Sequence, residues 1–109
     1  MFVPAGGDSL VMGSINSDQI MGKIKVEKLS EAEITEKGIR NWPVWTKEVS
    51  EFPYTYDETE VCLFLEGEVV VKTGDGEVRI GPGDYVTFPE GLSCTWCILK
   101  DVKKHYQFG

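Results

Sequence analysis

Gly74-Asp75-Gly76-Glu77-Val78-Arg79-Ile80-Gly81-Pro82-Gly83-Asp84-Tyr85-Val86-Thr87-Phe88-Pro89-Glu90-Gly91 is the stretch that decides the fold class. Three turn signals bracket two short runs. Gly74-Asp75-Gly76 is a tight hairpin signal. Gly81-Pro82-Gly83-Asp84 is a turn in which proline presets φ near about −65°. Pro89-Glu90-Gly91 is a third turn. The runs between them, Glu77–Ile80 and Tyr85–Phe88, are too short for helices and carry β-branched and aromatic residues, so they read as strands.

The same pattern extends in both directions. Upstream, strands are expected at Thr46–Val49, Pro53–Tyr56, Val61–Leu65 and Glu68–Thr73; downstream, at Ser93–Leu99 and Lys103–Phe108. Many short strands at close spacing, with Gly/Pro turns and no sequence repeat, imply an all-β sandwich or barrel. Lys23–Lys28 alternates charged and apolar residues, which predicts a half-buried strand. Ser30-Glu31-Ala32-Glu33 is a capping box and Gly38 a helix-ending C′ residue, so one short helix or helical turn lies between them. Met1 to Met21 is rich in Gly and Ser, lacks Lys and Arg, and has no hydrophobic period. It reads as a flexible N-terminal extension, fitting neither a signal peptide nor a transit peptide. The domain is expected over residues 22–109.

Composition sets the outer bounds. The chain has 109 residues, enough for one domain, and 41% are hydrophobic, enough for one core. Its net charge of −7 argues against general binding to phosphate backbones or anionic membranes. The only basic cluster, Lys100, Lys103, Lys104 and His105, reads as a solvated face. The longest unbroken apolar run, Val61–Leu65, is far below the roughly 20 residues of a membrane helix. Cys62, Cys94 and Cys97 are odd in number, which points to a reducing compartment. Intracellular, cytoplasmic residence is the default expectation, with a plastid left open.

Two segments resemble the cupins. Glu60, six residues and Gly67 match the end of the first cupin motif. Gly83, five residues, Pro89, one residue and Gly91 match the second. The stretch from Asn41-Trp42-Pro43-Val44-Trp45 to Glu66-Gly67 looks like the small single-domain cupins grouped with ureidoglycine aminohydrolase and the ethanolamine-utilisation cupins. The resemblance covers about residues 22–109 and implies a jelly-roll-like β-barrel, with homodimers common. Typical cupins bind a divalent metal through two His before the first-motif Glu, that Glu, and one His after the second-motif Gly. Here those positions hold Tyr54, Tyr56, Glu60 and Cys94, so only Glu60 matches. If a metal is bound, these four are its ligands; the loss of the histidines disfavours it.

Strand alternation puts Tyr54, Tyr56, Glu60, Cys62 and Phe64 on one face, and Cys94, Trp96 and Ile98 on one face of the second-motif strand. Tyr54, Tyr56, Glu60, Cys94 and Trp96 are therefore the expected ligand-binding residues, an aromatic pocket around one carboxylate and a thiol. Glu60 is the best catalytic candidate, because a carboxylate buried in a barrel is driven to take up a proton or find a partner. Cys94 is expected to be an inert buried thiol. Cys94-Thr95-Trp96-Cys97 lies on a strand, where residues three apart face opposite ways, so no disulfide is expected. His105 is expected at the surface or rim, and Trp42 and Trp45 to cap the barrel or fill a subunit interface. Three functions stay open: a small-molecule-binding cupin of unassigned activity, a metal-dependent aminohydrolase- or dioxygenase-like enzyme using Glu60 and Cys94, and a structural module acting as a homodimer.

Overall fold

Val61–Leu65 and Glu68–Thr73 are one continuous strand, and so are Ser93–Leu99 and Lys103–Phe108. The computed structural model describes residues 24–109, and the expected extension at 1–21 lies outside the described residues. Its elements are β1 (Lys25–Lys28), α1 (Glu31–Glu36), a 3-10 turn (Ile39–Asn41), β2 (Val44–Lys47), β3 (Ser50–Thr55), β4 (Glu60–Thr73), β5 (Gly76–Ile80), β6 (Asp84–Phe88) and β7 (Ser93–Phe108). The two strand pairs predicted as separate merged because their breaks, at Glu66-Gly67 and Lys100-Asp101, are bends within a ladder and not turns. Turn chemistry at Gly74, Gly81 and Pro89 did end strands as expected.

All pairings are antiparallel. The order is β1-β6-β4-β7-β2, with β5 beside the second half of β4 and β3 beside the first half of β7. β4 and β7 thus form a central ribbon, flanked by different strands in each half. The register between them shifts from Phe64 to Val69, opposite Ile98 to Lys104. Bulges of this kind bend the bulged strand and increase its twist. Here the bend folds the sheet over on itself, so that Phe88 of β6 meets Trp96 of β7, ring centroids 5.7 Å apart. The result is an antiparallel β-barrel of jelly-roll type.

The bend also changes which residues of β4 point inward. Cys62 and Phe64 are buried before it, Val69 and Val71 after it. β7 keeps its parity throughout, burying Trp96, Ile98, Val102 and Lys104. These residues, with Tyr56, Ile80, Val86 and Phe88, build the main core. A second cluster lies outside the barrel, where Ile34 and Ile39 cover Leu63 and Tyr85. Leu63 and Tyr85 are register partners on β4 and β6, so α1 and the 3-10 turn lie over that pair. Ile39 is fully buried there, worth about 1.5–3 kcal/mol. The helix starts as predicted: the Ser30 side chain accepts from the Glu33 amide, and Glu33 accepts from the Ser30 amide. Gly38 takes the left-handed φ of 68°. β1 departs from its half-buried reading. Ile24 is buried, but Val26, the register partner of Val86 on this edge strand, remains 41% exposed.

Gly67 is required at the bend. Its φ is +103°, and a Cβ there would lie 2.4 Å from the Asp101 carbonyl oxygen and 2.7 Å from the Val102 Cα. Both obstacles are backbone, so neither can move aside cheaply. Gly67→Ala is expected to destabilise the fold by about 3 kcal/mol or more in urea denaturation, the sum of strain and steric clash. Gly74→Ala, with nothing within 4 Å of its Cβ, is expected to stay within about 0.5 kcal/mol of the parent. Equal effects at the two sites would refute the bend as the controlling constraint.

Candidate functional site

Glu60 opens β4 on the inward parity, paired with Phe88 on one side and Phe108 on the other. Lys104 enters from β7, opposite Phe64, also on the inward parity. The two charges meet inside the barrel: Lys104 Nζ lies 2.8 Å from Glu60 Oε2, with both residues about 95% buried. Cys62 sits between them. Its thiol donates to Glu60 Oε2 at 3.2 Å, and Lys104 Nζ donates to its sulfur at 3.2 Å. Burial pushes the Cys62 thiol up to about 12; Lys104 pulls the value down, and the Glu60 charge pushes it up. Cys62 is therefore a thiol, and the site charge rests on Glu60 and Lys104. The indoles of Trp45 and Trp96 each lie 4.9 Å from Lys104 Nζ, and the Phe64 ring 5.8 Å, so the ammonium is also held by aromatic faces.

Above this pair opens a cavity of about 170 Å³. Of the residues expected from sequence, Tyr54, Tyr56, Glu60 and Trp96 line it together. Tyr56 stacks on Phe88 at 4.9 Å and accepts a hydrogen bond from Trp96 Nε1 at 3.2 Å. Burial raises the Tyr56 phenol far above its ordinary value. Tyr54 is 41% exposed and forms the rim; its phenol is raised by desolvation and by the Glu60 charge. Cys94 does not line the cavity. It is buried beside it, its thiol donating to the Tyr54 carbonyl at 3.5 Å, and burial raises its value too. All three cysteines are free, and Cys94 and Cys97 are not bonded to each other.

Lys104, Trp45, Phe52, Tyr106 and Phe108 complete the lining and were missed. The basic cluster is not a solvated face throughout. Lys100 and Lys103 are exposed, but Lys104 is interior, because it shares the parity of Val102 and Tyr106. That alternation was the available signal. His105 is buried rather than at the rim, with Nδ1 3.0 Å from the Trp42 carbonyl oxygen. Trp45 reaches the cavity as a wall, whereas Trp42 packs into the outer cluster.

The donor set does not fit a divalent metal. Glu60 Oε2 already holds an ammonium, and a second cation beside it would be repelled. The Tyr56 oxygen accepts from Trp96, and both tyrosine phenols and the Cys94 thiol hold their protons more tightly than usual. Among the described residues no group of three or more His, Cys, Asp or Glu side chains converges. Lys104 already supplies the positive charge beside Glu60. No helix among the described residues is long and apolar enough to cross a membrane.

A family model for the EutQ-like cupin domain matches residues 34–106. The chain belongs to the EutQ-like cupin family. Among solved structures, a DUF861 family protein from Thermotoga maritima is 47% identical, with 79% of this chain and 99% of that one covered and a TM-score of 0.77. A DUF861 family protein of unknown function from Pseudomonas syringae is 25% identical over 61% of this chain and 29% of that one, with a TM-score of 0.56. The EutQ protein of Clostridium difficile shares the fold at 12% identity and a TM-score of 0.56, covering 78% of this chain and 66% of that one. A search of curated proteins gave no match.

Two outcomes test the site. Lys104→Met leaves Glu60 buried without its partner, an expected loss of about 3–5 kcal/mol. Glu60→Leu/Lys104→Met together should recover most of the stability in urea melts; a single variant no worse than the double would show the pair to be energetically idle. Separately, Tyr54, Tyr56 and Tyr85 all hold their protons more tightly when folded. Their contribution is fully present below the unfolded tyrosine value of about 10 and is lost as pH rises through the folded values. The buried Cys62 and Cys94 thiols act in the same sense from the ordinary thiol value of about 8.5, so the urea midpoint should begin to fall near about pH 8.5 and fall more steeply above pH 10, where Tyr56→Phe should show the shallower fall.

Proposed function

We propose that this EutQ-like cupin binds a small organic molecule in the barrel cavity, with the Glu60–Lys104 pair as its polar floor. The observation that carries the reading is an open, aromatic-walled cavity ending on a buried ion pair. Apolar walls with a few convergent polar groups are the usual form of a small-molecule site. Exposed rings at the mouth, Tyr54 and Phe108, extend the apolar surface outward. The hydrolysis that the aminohydrolase-like resemblance implies runs through a metal, and Tyr54, Tyr56, Glu60 and Cys94 do not form its donor set. The reading is accordingly one of recognition, with proton handling limited to Glu60 and Lys104.

The three tryptophans provide the test. In a fragment screen followed by two-dimensional NMR of the 15N-labelled protein, cavity ligands are expected to shift the indole N–H signals of Trp45 and Trp96. Trp42, packed in the outer cluster, should stay still. A screen in which no fragment moves Trp45 or Trp96, or in which hits move Trp42 alone, would defeat the proposal.

A further inference from the structure

We infer that the cavity selects a neutral, single-ring ligand bearing a planar carboxamide-type group, in which an N–H donor sits beside a carbonyl acceptor. This rests on the cavity being a binding site, as proposed above. The first observation is size. A cavity of about 170 Å³ is close to the ~150 Å³ that accommodates benzene in an engineered apolar cavity. One ring with a small substituent fills it.

The second observation is what the floor leaves unpaired. Glu60 Oε2 is engaged by Lys104 and Cys62, while Oε1 has no hydrogen bond among the described residues. Lys104 carries three N–H groups. Two of them serve Glu60 and Cys62, and the third has no oxygen, nitrogen or sulfur acceptor among the described residues and meets only the faces of Trp45, Trp96 and Phe64. Both residues line the cavity. The floor therefore offers a carboxylate oxygen without a donor and an ammonium N–H held only by aromatic faces, on two residues in contact with each other, the complement of an amide that gives N–H and takes C=O.

The third observation is charge. Glu60 and Lys104 neutralise each other, so the floor has no net charge to trade for a charged ligand. A carboxylate would gain Lys104 but face Glu60, and an ammonium the reverse. Either would also lose its hydration among Trp45, Phe52, Trp96 and Tyr106. A neutral amide escapes both penalties and keeps two hydrogen bonds, and its ring stacks against the aromatic walls.

The experiment titrates the full chain at pH 7 with benzamide, benzoate, benzylamine and toluene, reading the Trp45 and Trp96 indole signals. Benzamide is expected to bind about tenfold or more tightly than each of the other three, the effect of hydrogen bonds to charged groups. In Glu60→Leu/Lys104→Met, with folding checked by circular dichroism, benzamide should lose its advantage over toluene. Tightest binding by benzoate or benzylamine, or equal binding of toluene and benzamide, overturns the ligand class and leaves the cavity reading standing. Silence of all four probes, while screened fragments shift Trp45 and Trp96, also overturns the class alone. Silence of every compound overturns both.

Discussion

The close approach of Gly67 to the backbone of Asp101 and Val102 is the constraint on which the rest of the molecule depends. It lets the β4–β7 ribbon bend sharply enough to fold the sheet over. The fold-over brings Phe88 and Phe64 against Trp96. It also turns the inner face of β7 into a continuous row from Trp96 to Lys104. The Asp101 carboxylate accepts the Val49 amide and ties the start of β3 to the same corner. Without the bend there is no barrel interior, and Lys104 would extend from an open sheet into water.

Within that interior the main electrostatic decision is the Glu60–Lys104 pair. A carboxylate at Glu60 is what the chain shares with metal-binding cupins at this position. The partner it meets is an ammonium from the last strand, enclosed by Trp45, Trp96 and Phe64. A buried pair of this kind is not by itself a source of stability, since desolvation of both charges opposes their attraction. Its effect is on what the cavity tolerates. The pair fills the electrostatic role of a cation with an atom of the chain itself, and it leaves a floor that is polar without being charged.

Much of this was legible in the sequence, and the parts that were not have two causes. The turns at Gly74, Gly81 and Pro89 ended strands where turn chemistry predicted, and Ser30 with Glu33 capped the helix as read. Period-two alternation placed Tyr56, Glu60, Cys62 and Phe64 inside, and Trp96 with them. What failed was continuity. Glu66-Gly67 and Lys100-Asp101 looked like strand ends, and treating them so cut the parity of β7 off from the core residues that define it. With the strand cut, Lys104 read as one more lysine in a charged run. Carried from Trp96 and Ile98 through Val102, the same alternation puts it inside. Cys94 was assigned by motif position to the pocket, yet its thiol turns to the Tyr54 carbonyl. Position within a motif says which strand carries a residue, and packing decides which way its side chain settles.

The course of β7 has a kinetic consequence. This one strand pairs with β2 and β3 on one edge and with β4 along the other. Its partners include Val44 for His105 and Tyr54 for Cys94, pairs separated by long loops of chain. Closing such loops costs entropy before any contact forms. Folds dominated by non-local strand pairing reach the native state in milliseconds to seconds rather than microseconds. Until β7 docks, β4 presents a bare edge and the aromatic faces of Trp45, Phe52 and Phe64 lie uncovered. The strand that supplies the site's lysine is thus also the one whose arrival ends the chain's exposure to its neighbours in a crowded solution.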